Sequence, residues 1–179
     1  MSGKSELNGD MNYRGHLTVG IAFFLAAYAT LLFALHIHVS VADALLGLAL
    51  CEFGALAPDL DHKSSKIHRW SYAGSAFAGV AVFLALSLKT HDFISAGVLA
   101  SIVAGVLALV VFLLSNLKHR GFTHHAPGFL LFVLCIFLAM SFLRNSSFLP
   151  LPSILDFSPA KVTIFGAIGY LSHLIADAF

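Results

Sequence analysis

Many of the histidine and aspartate side chains in this sequence are concentrated in three short polar segments. The segments are Pro58-Asp59-Leu60-Asp61-His62, His119-Arg120-Gly121-Phe122-Thr123-His124-His125, and Ser172-His173 followed by Asp177. Imidazole and carboxylate groups together favour Zn²⁺, Mn²⁺ or Fe²⁺ over Ca²⁺. If the fold brings the segments together, we expect them to bind a divalent metal, with zinc as the first choice and manganese or iron as alternatives.

The composition around these segments is that of a membrane protein. Of 179 residues, 59% are hydrophobic and 11% are charged, and the mean hydropathy is +0.90. Soluble proteins contain roughly 25% charged residues, so this chain has too few polar groups to cover a water-exposed surface. The formal net charge is +1 and the basic residues are scattered, which argues against a nucleic-acid partner. The sequence therefore predicts a multi-pass membrane protein.

The lengths of the apolar stretches predict the fold class. A spanning helix needs about 20 apolar residues, and six stretches approach that length: His16–His38, Val41–Ala57, Trp70–Leu88, Phe93–Leu117, Pro127–Leu143 and Ala160–Phe179. We expect an all-α, polytopic membrane helix bundle of about six transmembrane helices over residues 15–179, after a polar, disordered segment over residues 1–14. The second stretch contains Asp43 and Glu52, so we expect its neighbours to shield it from lipid.

Counting the spans predicts that the polar segments lie at one face of the membrane. The breaks after the second and fourth spans and the end of the sixth share a side, and the start of the first span, with His16, joins them. His173 and Asp177 are also four residues apart on one helix, so they point to the same side of it. The candidate metal ligands in the three segments are Asp59, Asp61, His62, His119, His124, His173 and Asp177.

The distribution of Lys and Arg predicts the orientation of the bundle. With the amino terminus in the cytoplasm, seven basic residues lie in inner segments and three lie in outer loops. Inner segments carry the excess of Lys and Arg in membrane proteins. We therefore expect a multi-pass protein of the inner, or cell, membrane whose amino terminus and polar segments face the cytoplasm.

Small residues predict which helices pack closely. Alanine recurs every four residues in the fourth span, from Ala96 to Ala108, and the third span contains Gly74, Ser75, Ala78 and Gly79. Such spacing lets helix backbones approach one another, although alanine and glycine are also common in helices of this kind. We expect spans three and four to form the inner contacts of the scaffold.

The polar motifs occur in an order that resembles a known family. An early histidine, a Pro-Asp-x-Asp-His turn, a His-Arg-Gly-x-Thr-His turn and a Ser-His-x-x-x-Asp helix end follow one another between Gly15 and Phe179. This set resembles the YdjM-like family of inner-membrane proteins, which are regarded as metal-dependent hydrolases. The resemblance implicates His16, Asp59, Asp61, His62, His119, Arg120, Thr123, His124, His173 and Asp177. His125 departs from the pattern, because we expect a small hydroxyl residue there.

The resemblance implies a hydrolase domain over residues 15–179. A metal in the site would activate water, Asp59 or Asp61 would accept the proton, and Arg120 would offset charge that develops on the substrate. Because the motifs lie at helix ends, membrane lipids are the expected partners. The expected substrate is a lipid headgroup ester or another small or membrane-associated phosphoester.

Other interpretations of the same residues remain open. Asp59 and Asp61 are also typical helix caps, His173 with Asp177 also suits a structural pair, and Arg120 also suits an ordinary loop charge. The alternative function is a metal-binding or metal-transporting membrane protein without hydrolytic activity. Transporters usually place their ligands near the bilayer midplane, whereas these motifs lie at helix ends, and that difference disfavours transport. A pH-sensing role for the histidines would not require the interleaved carboxylates.

Overall fold

The computed structural model describes residues 13–61, 66–114, 116, 122–145 and 156–178. This part of the chain contains six α-helices and no strand, so the predicted all-α bundle is confirmed. The helices are α1 (Tyr13–Ala29), α2 (Val41–Leu56), α3 (Lys66–Thr90), α4 (Phe93–Leu114), α5 (Ala126–Asn145) and α6 (Pro159–Ala176). A π-helix, Thr30–Ala34, continues α1, a first 3₁₀ helix, Ala57–Asp61, follows α2, and a second, Phe122–His124, precedes α5.

Within the described part of the chain, five helical stretches are long and apolar enough to cross a membrane by length and composition. They are Arg14–Ala34, Val41–Leu60, Arg69–Leu88, Phe93–Leu113 and Ala126–Asn145. Val41–Leu60 has the largest buried share of the five, in agreement with the shielding expected from Asp43 and Glu52. Helix α6 is not among them; it carries Lys161 and His173 and lies largely inside the bundle.

The closest helix contact in the bundle joins α2 to α6. A Cβ atom added to Gly54 would meet the carbonyl oxygen of Gly166 and would lie 2.9 Å from the backbone nitrogen of Tyr170. A Cβ atom on Gly169 would likewise meet the carbonyl group of Cys51. Backbone therefore lies against backbone at two places along this pair, which only small residues permit. Helices α1 and α5 pack against the same α6.

Asp43 fixes the other end of the α2–α6 pair. Its carboxylate completes a capping box with Ser40 at the start of α2, and Oδ1 accepts a 2.6 Å hydrogen bond from the backbone N–H of Ser158 at the start of α6. The ammonium group of Lys161 lies 3.4 Å from Oδ2. Both helices therefore begin at one end of the bundle. They run side by side in the same direction to the opposite end, where Asp59 and His173 lie.

Helices α3 and α4 form a hairpin beside this core. A Cβ atom on Gly79 would lie 2.8 Å from the Cβ of Ala104, so the predicted small residues do bring the two helices together. The hairpin meets the rest of the described chain mainly through the first 3₁₀ helix. The predicted close contact between these two spans is confirmed. The hairpin lies beside the core, however, because the core of the described bundle is formed by α2 and α6, which approach through a few glycines rather than through a continuous small-residue stripe.

The α2–α6 contact leads to a stability prediction. We expect Gly169→Leu to prevent assembly of the bundle, because the side chain would overlap the α2 backbone and overpacking costs about 1–3 kcal/mol or more. Gly105→Leu is the matched control, since a Cβ atom at Gly105 meets none of the described residues within 4 Å. Thermal unfolding and size-exclusion chromatography of the purified proteins in detergent measure the difference. Equal stability of the two variants would contradict the proposed packing.

Candidate metal centre

Five of the predicted site residues meet at one end of the bundle, and we call them the His/Asp cluster. His16 lies near the start of α1, Asp59 lies in the first 3₁₀ helix, and His124 ends the second. His173 lies in the last turn of α6, and Asp177 directly follows that helix. Four separate segments of the chain therefore contribute to one group of side chains.

His173 lies at the centre of the cluster, and its hydrogen bond defines its tautomer. The ring is fully buried, and Nδ1 lies 2.8 Å from the carbonyl oxygen of Ala55 on α2. A carbonyl oxygen can only accept a hydrogen bond, so Nδ1 carries the proton. In the neutral ring, Nε2 then presents a lone pair.

That lone pair faces two acidic side chains. Nε2 lies 3.6 Å from Oδ1 of Asp59 and 3.5 Å from Oδ2 of Asp177, and it has no hydrogen-bond partner among the described residues. Three acceptor atoms that point towards one another repel unless a cation lies between them. The cation is either a proton, on the imidazole or on one of the carboxylates, or a bound metal ion.

The distances in the cluster match those between metal ligands. Ligand atoms bonded to a tetrahedral ion at about 2.0–2.2 Å are separated by roughly 3.3–3.6 Å. Besides the His173 contacts, Nε2 of His16 lies 3.5 Å from Oδ1 of Asp177, and Nε2 of His124 lies 3.4 Å from Oδ2 of Asp177. A hydrogen bond from a protonated imidazole would be shorter, about 2.7–3.2 Å. The donor set therefore fits a divalent metal ion better than it fits protonation.

The stacking of two rings also favours a metal ion. The rings of His16 and His173 lie parallel, with centroids 4.0 Å apart and an interplanar angle of 15°. Two protonated rings at that distance would repel strongly, because both are buried and burial weakens solvent screening. Neutral rings are the form in which histidine binds metals. The arrangement is consistent with two neutral imidazoles beside one cation.

Among the described residues, two overlapping groups have the spacing of a metal site. One contains His16, Asp59 and His173, and the other contains His124, His173 and Asp177, with ligand atoms within 4.8 Å of one another in each group. His173 belongs to both groups, and its Nε2 has a single lone pair. That atom can bond one ion, so the described residues provide one principal site centred on His173.

Residues outside the ligand set orient the histidines. Oγ1 of Thr123 lies 3.1 Å from Nδ1 of His124, and the hydroxyl of Tyr170 donates a hydrogen bond to the carbonyl oxygen of Thr123. Such contacts to the second ring nitrogen fix the rotation of metal-binding histidines. Thr123 was implicated by the resemblance. The Ala55 carbonyl and Tyr170 were not predicted, because neither an alanine backbone nor a tyrosine in an apolar helix gives a sequence signal.

Four predicted site residues lie wholly or partly outside the described part of the chain. His62, His119 and Arg120 fall outside the described residues, and for Asp61, which ends the first 3₁₀ helix, only the backbone is described. The roles of His62, His119 and Asp61 as ligands, of Asp61 as a proton acceptor, and of Arg120 as the group that offsets substrate charge therefore stay predictions. His125 is described and exposed, and it belongs to neither group of possible ligands.

A small cavity leads to the cluster from the surface. Its volume is about 220 Å³, and its lining includes His124, Leu174, Asp177 and Ala178. The side chains of Asp59 and Asp177 are 26% and 17% exposed to solvent, whereas that of His173 is fully buried. Water or a substrate can therefore approach from the carboxylate side of the cluster.

The sequence model of the YdjM inner membrane protein family matches residues 11–179. The chain belongs to this family. The resemblance in the sequence is thereby confirmed, and the family description agrees with the apolar helices in assigning an inner-membrane protein. Searches of curated proteins and of solved structures gave no match.

The central position of His173 leads to a prediction about metal content. We expect wild-type YdjM-family protein purified in detergent to contain close to one divalent ion per chain and His173→Ala to contain none, because the shared ligand is lost. His125→Ala is the matched control and should keep the wild-type metal content. Elemental analysis by mass spectrometry measures the stoichiometry.

A second variant separates loss of metal from loss of fold. Asp177 follows the end of α6 and is partly exposed, so Asp177→Asn should fold and still lose metal. Because a ligand that binds only the native state stabilises it, a chelator should lower the unfolding temperature of wild type and leave that of Asp177→Asn unchanged. Wild-type metal content in folded His173→Ala would contradict the assignment.

Proposed function

We propose that this protein is a membrane-embedded, metal-dependent hydrolase whose site is the His/Asp cluster. The observation that supports the proposal is the lone pair of His173 Nε2, which faces carboxylate oxygens of Asp59 and Asp177 at 3.6 and 3.5 Å. The donor set consists of the Asp177 carboxylate and the imidazoles of His16, His124 and His173, and such nitrogen and oxygen donors are typical of zinc, manganese or iron sites.

The chain's own residues have distinct parts in this proposal. When bound, a divalent ion polarises a phosphoryl or acyl oxygen and lowers the pKa of water towards about 7. His173 and Asp177 hold the ion, since Asp177 lies within 3.5 Å of three imidazoles. Asp59 is the more exposed of the two carboxylates, so it accepts a proton from the attacking water. Arg120 offsets the negative charge that develops on the substrate.

The position of the cluster supports a substrate at the membrane surface. His16 lies near the beginning of the apolar stretch Arg14–Ala34, and Asp59 lies at the end of Val41–Leu60. The cluster is therefore level with the ends of two stretches that can cross the membrane, where lipid headgroups meet water. A phosphoester in a lipid headgroup, or another membrane-associated phosphoester, reaches such a site without entering the hydrocarbon core.

The proposal predicts phosphoester hydrolysis by the metal-loaded protein. We expect wild type and His125→Ala, reconstituted with Zn²⁺ or Mn²⁺, to hydrolyse soluble phosphoesters or phospholipids in mixed micelles. His124→Ala should be at least about 100-fold less active, because the loss of a metal ligand removes both water activation and charge stabilisation. Phosphate or headgroup release measures turnover.

The Asp59→Asn variant distinguishes a proton acceptor from a ligand. We expect it to keep its metal and to lose about 10²–10⁴-fold in kcat, the usual contribution of general acid–base catalysis. Loss of the metal would assign Asp59 as a ligand instead. A wild-type protein that binds metal stoichiometrically but turns over no substrate would favour the non-catalytic metal-binding alternative, and no binding of metal would overturn the proposal.

The proposal also places the cluster at the cytoplasmic face, with the amino terminus inside. Its support is the excess of basic residues in the segments on that side, seven against three. Single cysteines at positions 63 and 91, in a background lacking Cys51 and Cys135, test this orientation. In intact cells, a membrane-impermeant maleimide should label position 91 and not position 63. The opposite pattern would reverse the orientation.

A further inference from the structure

A large apolar cavity lies between the α3–α4 hairpin and the core. Its volume is about 580 Å³, within the range of roughly 300–1,000 Å³ typical of ligand pockets. Its wall includes Leu60, Trp70, Val111 and Phe132, from four separate parts of the chain. The volume is large and the wall is mainly hydrocarbon, so the cavity suits an apolar ligand.

Two hydroxyl groups of the cavity wall are hydrogen-bonded to the protein itself. The hydroxyl of Ser75 donates to the carbonyl oxygen of Ser71 at 2.8 Å, and the hydroxyl of Tyr170 donates to the carbonyl oxygen of Thr123. A ligand with polar groups would find few partners here and would lose its hydration. The chemistry of the wall therefore selects hydrocarbon.

The cavity shares two structural elements with the His/Asp cluster. In the first 3₁₀ helix, Ala57 and Leu60 line the cavity, while Asp59 points to His173. In the second 3₁₀ helix, Thr123 lines the cavity, and its hydroxyl lies 3.1 Å from Nδ1 of His124. The apolar cavity and the polar cluster thus adjoin the same two short helices.

We propose that this cavity binds one acyl chain of a membrane phospholipid while its headgroup lies at the His/Asp cluster. The inference rests on the proposed function, which makes the His/Asp cluster the headgroup site. The shared 3₁₀ helices link that cluster to the cavity. A phospholipid joins one apolar chain to one phosphoester, which matches the adjacent apolar and polar sites. Trp70, which is 74% exposed and lines the cavity, is the kind of residue found at membrane interfaces.

Gly74 allows the cavity to be filled without disturbing the helices around it. It lines the cavity, and a Cβ atom there would meet no atom of the described chain within 4 Å. Gly74→Phe would therefore project a ring into the space of the ligand. Gly105→Phe is the matched control, because Gly105 is equally unobstructed and is not among the residues that line the cavity.

Photolabelling tests chain binding without requiring activity. The probe is a long-chain phosphatidylethanolamine with a diazirine on one acyl chain, incorporated into nanodiscs, and labelled sites are mapped by mass spectrometry. We expect labels at Leu131 and Cys135, which line the cavity, in wild type and Gly105→Phe. In Gly74→Phe we expect the extent of labelling at these two positions to fall at least about tenfold. A tenfold loss of affinity corresponds to roughly two methylene groups of the acyl chain that are no longer buried. Labelling of Leu109, which is exposed on the apolar stretch Phe93–Leu113 and is not among the residues that line the cavity, provides the internal reference.

A kinetic comparison connects the cavity to hydrolysis. The ratio of kcat/KM for long-chain to short-chain phospholipid should fall at least about tenfold in Gly74→Phe and stay at the wild-type value in Gly105→Phe. Equal cavity labelling in the two variants, or labelling by a polyprenyl phosphate probe in place of the phospholipid, would overturn the inference. Cavity labelling without turnover of any substrate would uphold chain binding and reject the hydrolase.

Discussion

The hydrogen bond between Nδ1 of His173 and the carbonyl oxygen of Ala55 is the interaction on which the candidate site depends. It joins the ends of α6 and α2, and it directs the lone pair of Nε2 towards Asp59 and Asp177. The bond requires the two backbones to lie very close together. That closeness comes from Gly54 and Gly169, where any larger residue would collide with the facing helix.

The two ends of the α2–α6 pair have different kinds of polar contact. At one end, Asp43 accepts hydrogen bonds at the starts of both helices and pairs with Lys161, so its acceptor and charge requirements are met. At the other end, imidazole nitrogens and carboxylate oxygens face one another at distances too long for hydrogen bonds. A buried polar group normally has its partner. The first end is structural, and the second is the end at which a cation is expected.

The sequence allowed some of this arrangement to be predicted. Apolar length predicted the helices, and the alternation of spans predicted that His16, Asp59, His124, His173 and Asp177 lie at one end. Alternation does not say which helices are neighbours, however. The α2–α6 pairing depends on a few glycines separated by more than a hundred residues, and the small-residue pattern instead drew attention to α3 and α4. The Ala55 carbonyl and the Tyr170 hydroxyl act through tertiary contacts, which no local pattern encodes.

X-ray absorption spectroscopy at the zinc edge of the zinc-loaded, detergent-purified protein tests the central claim most directly. The claim is that His173 and the residues around it hold a metal ion. We expect nitrogen and oxygen ligands at about 2.0–2.2 Å and the outer-shell scattering of imidazole rings, both lost in His173→Ala. A sulfur ligand at about 2.3 Å, which Cys51 or Cys135 would supply, or a first shell without imidazole, would contradict the account.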